Sequence, residues 1–340
     1  MSSDAPLAAI FGCQGLQLDD QERRFFKDAD AFGFILFGRN CDNPDQVRRL
    51  VDDLRDSVGR ADAPVLIDQE GGRVQRLKPP HWRDAPAAAR FAALDLDSAR
   101  TAVRLNARLI ARELADLGIT VDCAPVLDVP QAGADPIIGD RAYGNDPATI
   151  AALAGAACEG LLDGGVLPVI KHIPGHGRAD VDSHMALPVV SAPLAELEQT
   201  DFAPFAALAH MPWAMTAHVV YTHIDSENPA TTSAKVIDVI RREIGFTGIL
   251  LSDDLSMQAL KGDMARRVQD ALAAGCDIAL HCNGKMDEMT DIAAACSPLS
   301  PAAMGRIERA EAWRLKNIVP WQETVPEATR RLNAMLEGES

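Results

Sequence analysis

Short, nearly continuous apolar runs alternate along this chain with amphipathic stretches. The runs fall at 7–11 (LAAIF), 33–37 (GFILF), 64–68 (PVLID), 119–123 (ITVDC), 166–171 (VLPVIK), 213–217 (WAMTA), 248–253 (GILLSD) and 276–280 (CDIAL). A strand buried on both faces is apolar at successive positions rather than at every second one, which is the pattern here. Between the runs the period changes. In 44–58, Val47, Leu50, Val51, Leu54 and Val58 share one helical face; Asn43 can cap it, Pro44 suits its first turn and Gly59 its exit. The stretch 97–117 repeats this with Val103, Leu109, Ile110, Leu114 and Leu117 before Gly118. Asp146-Pro147 opens 147–163 and Gly164-Gly165 closes it, while Ser233 and Gly245 bound 234–244.

Eight strands alternating with helices predict parallel pairing through crossover helices, an α/β fold of the (β/α)8 TIM barrel kind. A doubly wound open sheet competes, but the first run is followed by GCQG rather than by a GxGxxG that opens a helix. After residue 281 two further helical stretches, about 301–317 and 324–337, are expected to pack on the barrel's outside. The chain then reads as a single domain, with the barrel at about 7–285 and C-terminal helices at about 286–340.

Polar residues follow the strands. Run 64–68 ends in Asp68-Gln69-Glu70-Gly71-Gly72-Arg73, run 119–123 leads to Asp128, and run 166–171 leads into Lys171-His172-Ile173-Pro174-Gly175-His176-Gly177. Run 213–217 ends at His218, run 248–253 at Asp253-Asp254, and run 276–280 at His281-Cys282-Asn283. In a barrel these ends meet on one rim, where active sites lie. Charges at the ends of buried strands are costly unless used or paired, which favours an enzyme over a scaffold. Asp253 can be a carboxylate nucleophile; equally, Asp253 or Asp254 can cap a helix starting near Leu255.

The segment 172–185, HIPGHGRADVDSHM, holds three histidines between glycine and proline, so it reads as an irregular loop. Asp182 and His184 are two apart, which in extended chain puts both side chains on one side. The carboxylate can then fix one imidazole nitrogen and leave the other for proton transfer. The alternatives are histidines that are simply polar loop residues, or zinc held by His172, His176 and His184, although no HxH or HExxH accompanies them. Arg73, Arg76, Arg141 and Lys171 flank strand ends and can bond ligand hydroxyls or a carboxylate, or else pair with the surplus acids.

That surplus is large. Lys plus Arg is 33 against 49 Asp plus Glu, a formal net charge of −16, which argues against a partner that is nucleic acid or an acidic membrane. With 47% hydrophobic and 24% charged residues the chain is globular in composition. It has no apolar run of about 18 residues, and MSSDAPLAAIFGC lacks the positive start of a signal peptide. The seven cysteines show no CxxC and no framework spacing, which fits free thiols in a reducing cytoplasm. No heptad or exposed apolar stripe is evident, so a monomer is expected.

The segments IDQEGGRVQRL, GDRAYG, KHIPGHG, DVDSH and LSDDLSM, in this order, resemble the bacterial β-N-acetylglucosaminidases of glycoside hydrolase family three, from about residue 7 to residue 300. The resemblance implies a barrel, no cofactor or metal, and a retaining two-step hydrolysis of terminal β-linked N-acetylglucosamine from peptidoglycan fragments, the anhydro-muramyl peptides. Carried over by position, Asp253 is the nucleophile and His184 the general acid/base, assisted by Asp182. Asp68, Arg76, Arg141, Lys171 and His172 bind the sugar. The departures, Ile173 for the usual Phe and Ala142-Tyr143 for Ser-Phe, replace no chemical group. Three other readings stay open: a metal-dependent barrel hydrolase, a sugar-binding protein without catalysis, and a phosphorylase that uses phosphate in place of water.

Overall fold

The computed structural model describes residues 5–179, 181–183 and 186–338. Its strands are β1 (Leu7–Gly12), β2 (Ala31–Leu36), β3 (Val65–Ile67), β4 (Val121–Asp122), β5 (Leu167–Ile173), β6 (Val189–Val190), β7 (Trp213–Thr216), β8 (Val220–Tyr221), β9 (Ile249–Asp254) and β10 (Ile278–His281). Eight of them close into a parallel barrel in the order β1-β2-β3-β4-β5-β7-β9-β10, and each corresponds to one of the apolar runs. The parallel pair β6–β8 is a separate small sheet that the sequence pattern did not indicate.

The helices are α1 (Asp20–Ala29), α2 (Pro44–Val58), α3 (Leu96–Ala115), α4 (Pro147–Asp163), α5 (Leu194–Gln199), α6 (Ala203–Ala207), α7 (Ala234–Arg242), α8 (Met264–Ala274), α9 (Met286–Ala295), α10 (Pro301–Lys316) and α11 (Val325–Glu337). Capping explains several boundaries. The side chains of Asn43, Asp146 and Ser233 accept from the first-turn N–H groups of α2, α4 and α7. Gly59 ends α2 in the left-handed conformation. Helix α1 escaped the sequence pattern because its segment is so polar that it buries only Glu22 and Phe26.

Side chains alternate across the barrel wall. Ile10, Ile35, Leu66, Val121, Val169, Met215, Leu251 and Leu280 pack inside, while Phe11, Phe34, Ile67, Ile170, Ala214 and Leu250 face the helices. This two-sided burial is why the strands read as continuous apolar runs.

The C-terminal part corrects two expectations. Helix α9, which was not anticipated, buries Met289 and Ile292 and packs on α8, α1 and β1, so it closes the helical ring. Helix α10 does not lie on the outside. Its Ala303, Met304, Ile307, Ala310 and Trp313 join the interior cluster with Trp213, Ile249 and Ile278. Arg306 bonds Asp277, the residue preceding β10, at 2.8 Å, and Arg314 bonds the Gly165 carbonyl ahead of β5. The helix therefore plugs the N-terminal end of the barrel. Of the two helical stretches expected on the outside, α11 does pack there, against α3. With that end closed, the C-terminal rim is the barrel's open face.

Candidate active site

At the rim, Asp68, Glu70, Arg73, Arg76, Arg141, Lys171, His172, His176, Ser183, Asp253 and Asp254 line one pocket with Ile35, Met215 and Leu280 at its floor. Side chains as far apart in the chain as Ile35 and Leu280 converge as barrel geometry requires.

The loop after β3 brings Asp68, Glu70 and Arg76 together because Gln69 folds it back. The buried Gln69 amide accepts from the N–H groups of Arg76 and Leu77 and donates to the Leu77 carbonyl, at 2.8, 3.1 and 3.0 Å. Its own backbone N–H donates to Asp122 Oδ1 at 2.9 Å. The result is a buried ion cluster. Lys171 Nζ sits 2.8 Å from Asp68 Oδ1 and 2.7 Å from Glu70 Oε1, with the Lys171 side chain 2% exposed. Arg76 reaches Asp68 at 3.2 Å and lies over the Phe37 ring. Arg141 grips Glu70 with two bonds of 2.9 Å. Burial pushes both carboxyls up, but the cations outweigh it: Lys171 and Arg76 hold Asp68 well below the usual carboxylate range, and Lys171 and Arg141 bring Glu70 to about 2. Burial alone would favour neutral Lys171, but Asp68 and Glu70 reverse that and raise its pKa. Arg73 pairs with Asp140 at 2.9 Å and donates to the Ile137 carbonyl, joining the loops after β3 and β4.

The adjacent acids at the end of β9 divide their work. Asp254 is committed to its turn: its carboxylate accepts from Ser256 N–H, Ser256 Oγ and Cys282 N–H at 3.0, 2.7 and 3.1 Å. Half-buried Asp253 lines the pocket, and its Oδ1 accepts from the Asp254 N–H at 2.8 Å. Neither acid caps the helix that follows; Asp263 caps α8. Beneath them, buried His218 donates from Nε2 to the Asp254 carbonyl at 3.0 Å and accepts at Nδ1 from Thr231 Oγ1 at 2.7 Å. Burial pushes its pKa down, which favours this neutral form.

His172 is oriented by buried Asp128, whose Oδ2 lies 2.7 Å from Nδ1, so that Nδ1 carries the proton and Nε2 is left for the pocket. Asp182 and Ser183 belong to the described loop; His184 lies outside the described residues. Not every rim residue reaches the site. His281 and Asn283 turn to Glu288 at 3.0 and 2.7 Å and serve the entry to α9. Sequence reasoning did not single out Gln69 or Glu70 as site residues, although both stand in the DQEGGR run next to Asp68. Among the described residues no group of three or more His, Cys, Asp or Glu side chains could hold a metal ion.

The loop after β5 is pressed on its neighbour at Gly177. A Cβ there would lie 2.0 Å from the Val129 carbonyl oxygen, and the Gly177 carbonyl accepts from Gln131 N–H at 3.0 Å. Gly177→Ala is expected to push the loop outward at a cost of roughly 1–3 kcal/mol. The melting temperature and kcat should both fall; unchanged values would show that the backbone absorbs the methyl group.

Comparison with known proteins places the chain. The model of the "Glycosyl hydrolase family 3 N terminal domain" matches residues 8–316. A protein named Beta-hexosaminidase from Pseudomonas aeruginosa is 36% identical over 307 residues, covering 89% of this chain and 88% of the relative. One of the same name from Alkalilimnicola ehrlichii is 39% identical over 282 residues, covering 81% and 80%. The crystal structure of NagZ from Neisseria gonorrhoeae in complex with N-trifluoroacetyl-D-glucosamine superposes with a TM-score of 0.85 at 31% identity, covering 99% of both chains. A barrel whose rim gathers carboxylates, cations and an imidazole around one pocket is the frame of a glycoside hydrolase. The chain belongs to glycosyl hydrolase family 3.

Proposed function

We propose that this protein is a retaining exo-β-N-acetylglucosaminidase that removes terminal β-linked N-acetylglucosamine from peptidoglycan fragments. The observation that carries the reading is Asp253, presented at the end of β9 into the same pocket as Asp68, Arg76, Lys171 and His172. Support comes from the relatives named Beta-hexosaminidase and from the neighbour bound to N-trifluoroacetyl-D-glucosamine.

In this reading Asp68, with Arg76 and Lys171 around it, bonds the distal sugar hydroxyls, and His172 Nε2 bonds a hydroxyl deeper in the pocket. Arg141 acts through Glu70, since two of its N–H groups are already taken there. The Asp253 carboxylate attacks the anomeric carbon, the bond to the leaving oxygen breaks, and His184, charged with the help of Asp182, gives that oxygen its proton. Neutral His184 then takes a proton from water, which attacks the anomeric carbon and releases Asp253. Sugar binding remote from the reacting bond supplies energy for distortion toward the transition state. The pocket's described cations, Arg73, Arg76, Arg141 and Lys171, each pair with a carboxylate. That leaves little to attract a phosphate dianion and favours water as the acceptor. Cytoplasmic location and a monomeric state belong to the same proposal.

A chromogenic β-N-acetylglucosaminide is expected to be cleaved with kcat/KM at least roughly 100-fold above the matching β-glucoside. The rate should be indifferent to chelators, and added phosphate should yield no sugar phosphate. Equal cleavage of both glycosides would overturn the N-acetyl assignment, and a sugar phosphate product would overturn hydrolysis.

A further inference from the structure

A buried polar relay runs beneath the loop after β5. Asp128, wholly buried, serves both histidines of the KHIPGHG segment. Its Oδ1 accepts from the backbone N–H groups of His172 and His176 at 3.2 and 2.7 Å, and its Oδ2 from His172 Nδ1 at 2.7 Å. The two imidazoles meet edge to face with centroids 5.7 Å apart. His176, 4% exposed, then extends the chain: its Nε2 lies 3.1 Å from Ser183 Oγ. Burial, followed by the neighbouring His172, pushes the His176 pKa down to about 4, so the ring is neutral at physiological pH. Ser183 is 3% exposed and stands in sequence between Asp182 and His184.

We infer that the His176–Ser183 hydrogen bond is a positioning device that sets the register of the acid/base loop against the sugar-binding wall. Resting on the function proposed above, the inference assigns His176 and Ser183 a role that acts through Asp182 and His184. Asp128 is the common anchor. It orients His172 toward the sugar and fixes the backbone at the base of the loop, and His176 passes that position on to Ser183. A loop rich in Gly and Pro has many conformations available, and a general acid must come within about 3 Å of the leaving oxygen. A displacement of about 1 Å is enough to cost on the order of 100-fold in rate. One buried bond at the residue flanked by both members of the dyad has the leverage to prevent it.

The test breaks the bond from each side. Ser183→Ala removes the hydroxyl, and His176→Phe keeps the ring but removes Nε2. Each is expected to lower kcat/KM roughly tenfold for a β-N-acetylglucosaminide with a poorly acidic leaving group. For an aryl glycoside with a strongly acidic leaving group, which needs no acid, the loss should stay under about twofold. The inhibition constant of N-acetylglucosamine should not move, Ser183→Thr should restore the wild-type ratio of the two substrates, and the double variant should lose no more than the worse single one. Equal losses on both substrates, weakened N-acetylglucosamine binding, additive losses or no loss would each overturn the inference. His184→Ala, measured alongside, separates the two levels. If it fails to discriminate between the leaving groups, the acid/base reading itself falls. If it discriminates and the other variants do not, only the positioning role falls.

Discussion

Asp253→Ala is expected to abolish turnover, with kcat/KM down by roughly 10^4-fold or more, and equally for activated and unactivated glycosides. Loss of the nucleophile removes the step both substrates share, so leaving-group acidity offers no rescue. The fold should survive, because Asp253 is only half-buried and lines the pocket at the open rim rather than the packed interior of the barrel. Asp254→Ala makes the contrast. It removes the acceptor of three hydrogen bonds that tie the end of β9 to Ser256 and Cys282. Unsatisfied donors cost roughly 1–3 kcal/mol each when buried, so this variant should lose melting temperature as well as activity. Mass spectrometry after exposure to a fluorinated sugar that slows the second step should find the adduct on the peptide holding Asp253. An adduct elsewhere, or an Asp253→Ala enzyme that keeps a tenth of its rate, would remove the nucleophile assignment.

That contrast also marks where the sequence stopped being informative. Adjacent acids at the end of GILLSD were legible as a site, but their division of labour rests in part on Cys282, whose N–H arrives from the end of the next strand of the barrel. The eight strands were legible because burial on two faces writes itself as uninterrupted apolar residues. Helix α10 was legible as a helix and not in its placement. An amphipathic pattern shows that one face is buried without showing against what, and here the partner is the barrel floor around Trp213. Gln69, Glu70 and Asp128 were visible as polar residues after strands, but their roles were hidden for a related reason. Their partners lie 8, 71 and 44 residues away, and polar pairing at such distances leaves no periodic trace. The basic residues at strand ends were visible, and their pairing with named acids was visible only in the folded chain.

The ion cluster those residues form carries the second large effect. Lys171→Met is expected to destabilise the protein by about 3–5 kcal/mol, because Asp68 and Glu70 would lose the ammonium group that touches both and remain buried. That corresponds to a fall in melting temperature on the order of 5–15 °C. Sugar binding should weaken with it, since Asp68 would be left with Arg76 as its cation. The pH dependence separates a charge effect from lost packing. In the native protein both carboxyls are held below their ordinary values, Glu70 at about 2 against 4.5. A group with a depressed folded pKa contributes stability that is complete above its unfolded value and is lost as pH falls through the folded one. The wild type should therefore give up this contribution between roughly pH 4.5 and 2. Lys171 has the opposite sign, because its raised pKa is lost only on the alkaline side, outside that window. In the variant the two carboxyls take up protons at higher pH, and protonation relieves their repulsion. The melting-temperature gap between wild type and Lys171→Met should thus be widest near pH 7 and narrow steadily below about pH 4.5. A gap independent of pH would mean that Lys171 stabilises the barrel through its packed methylenes rather than through the charge that holds Asp68 and Glu70 at the rim.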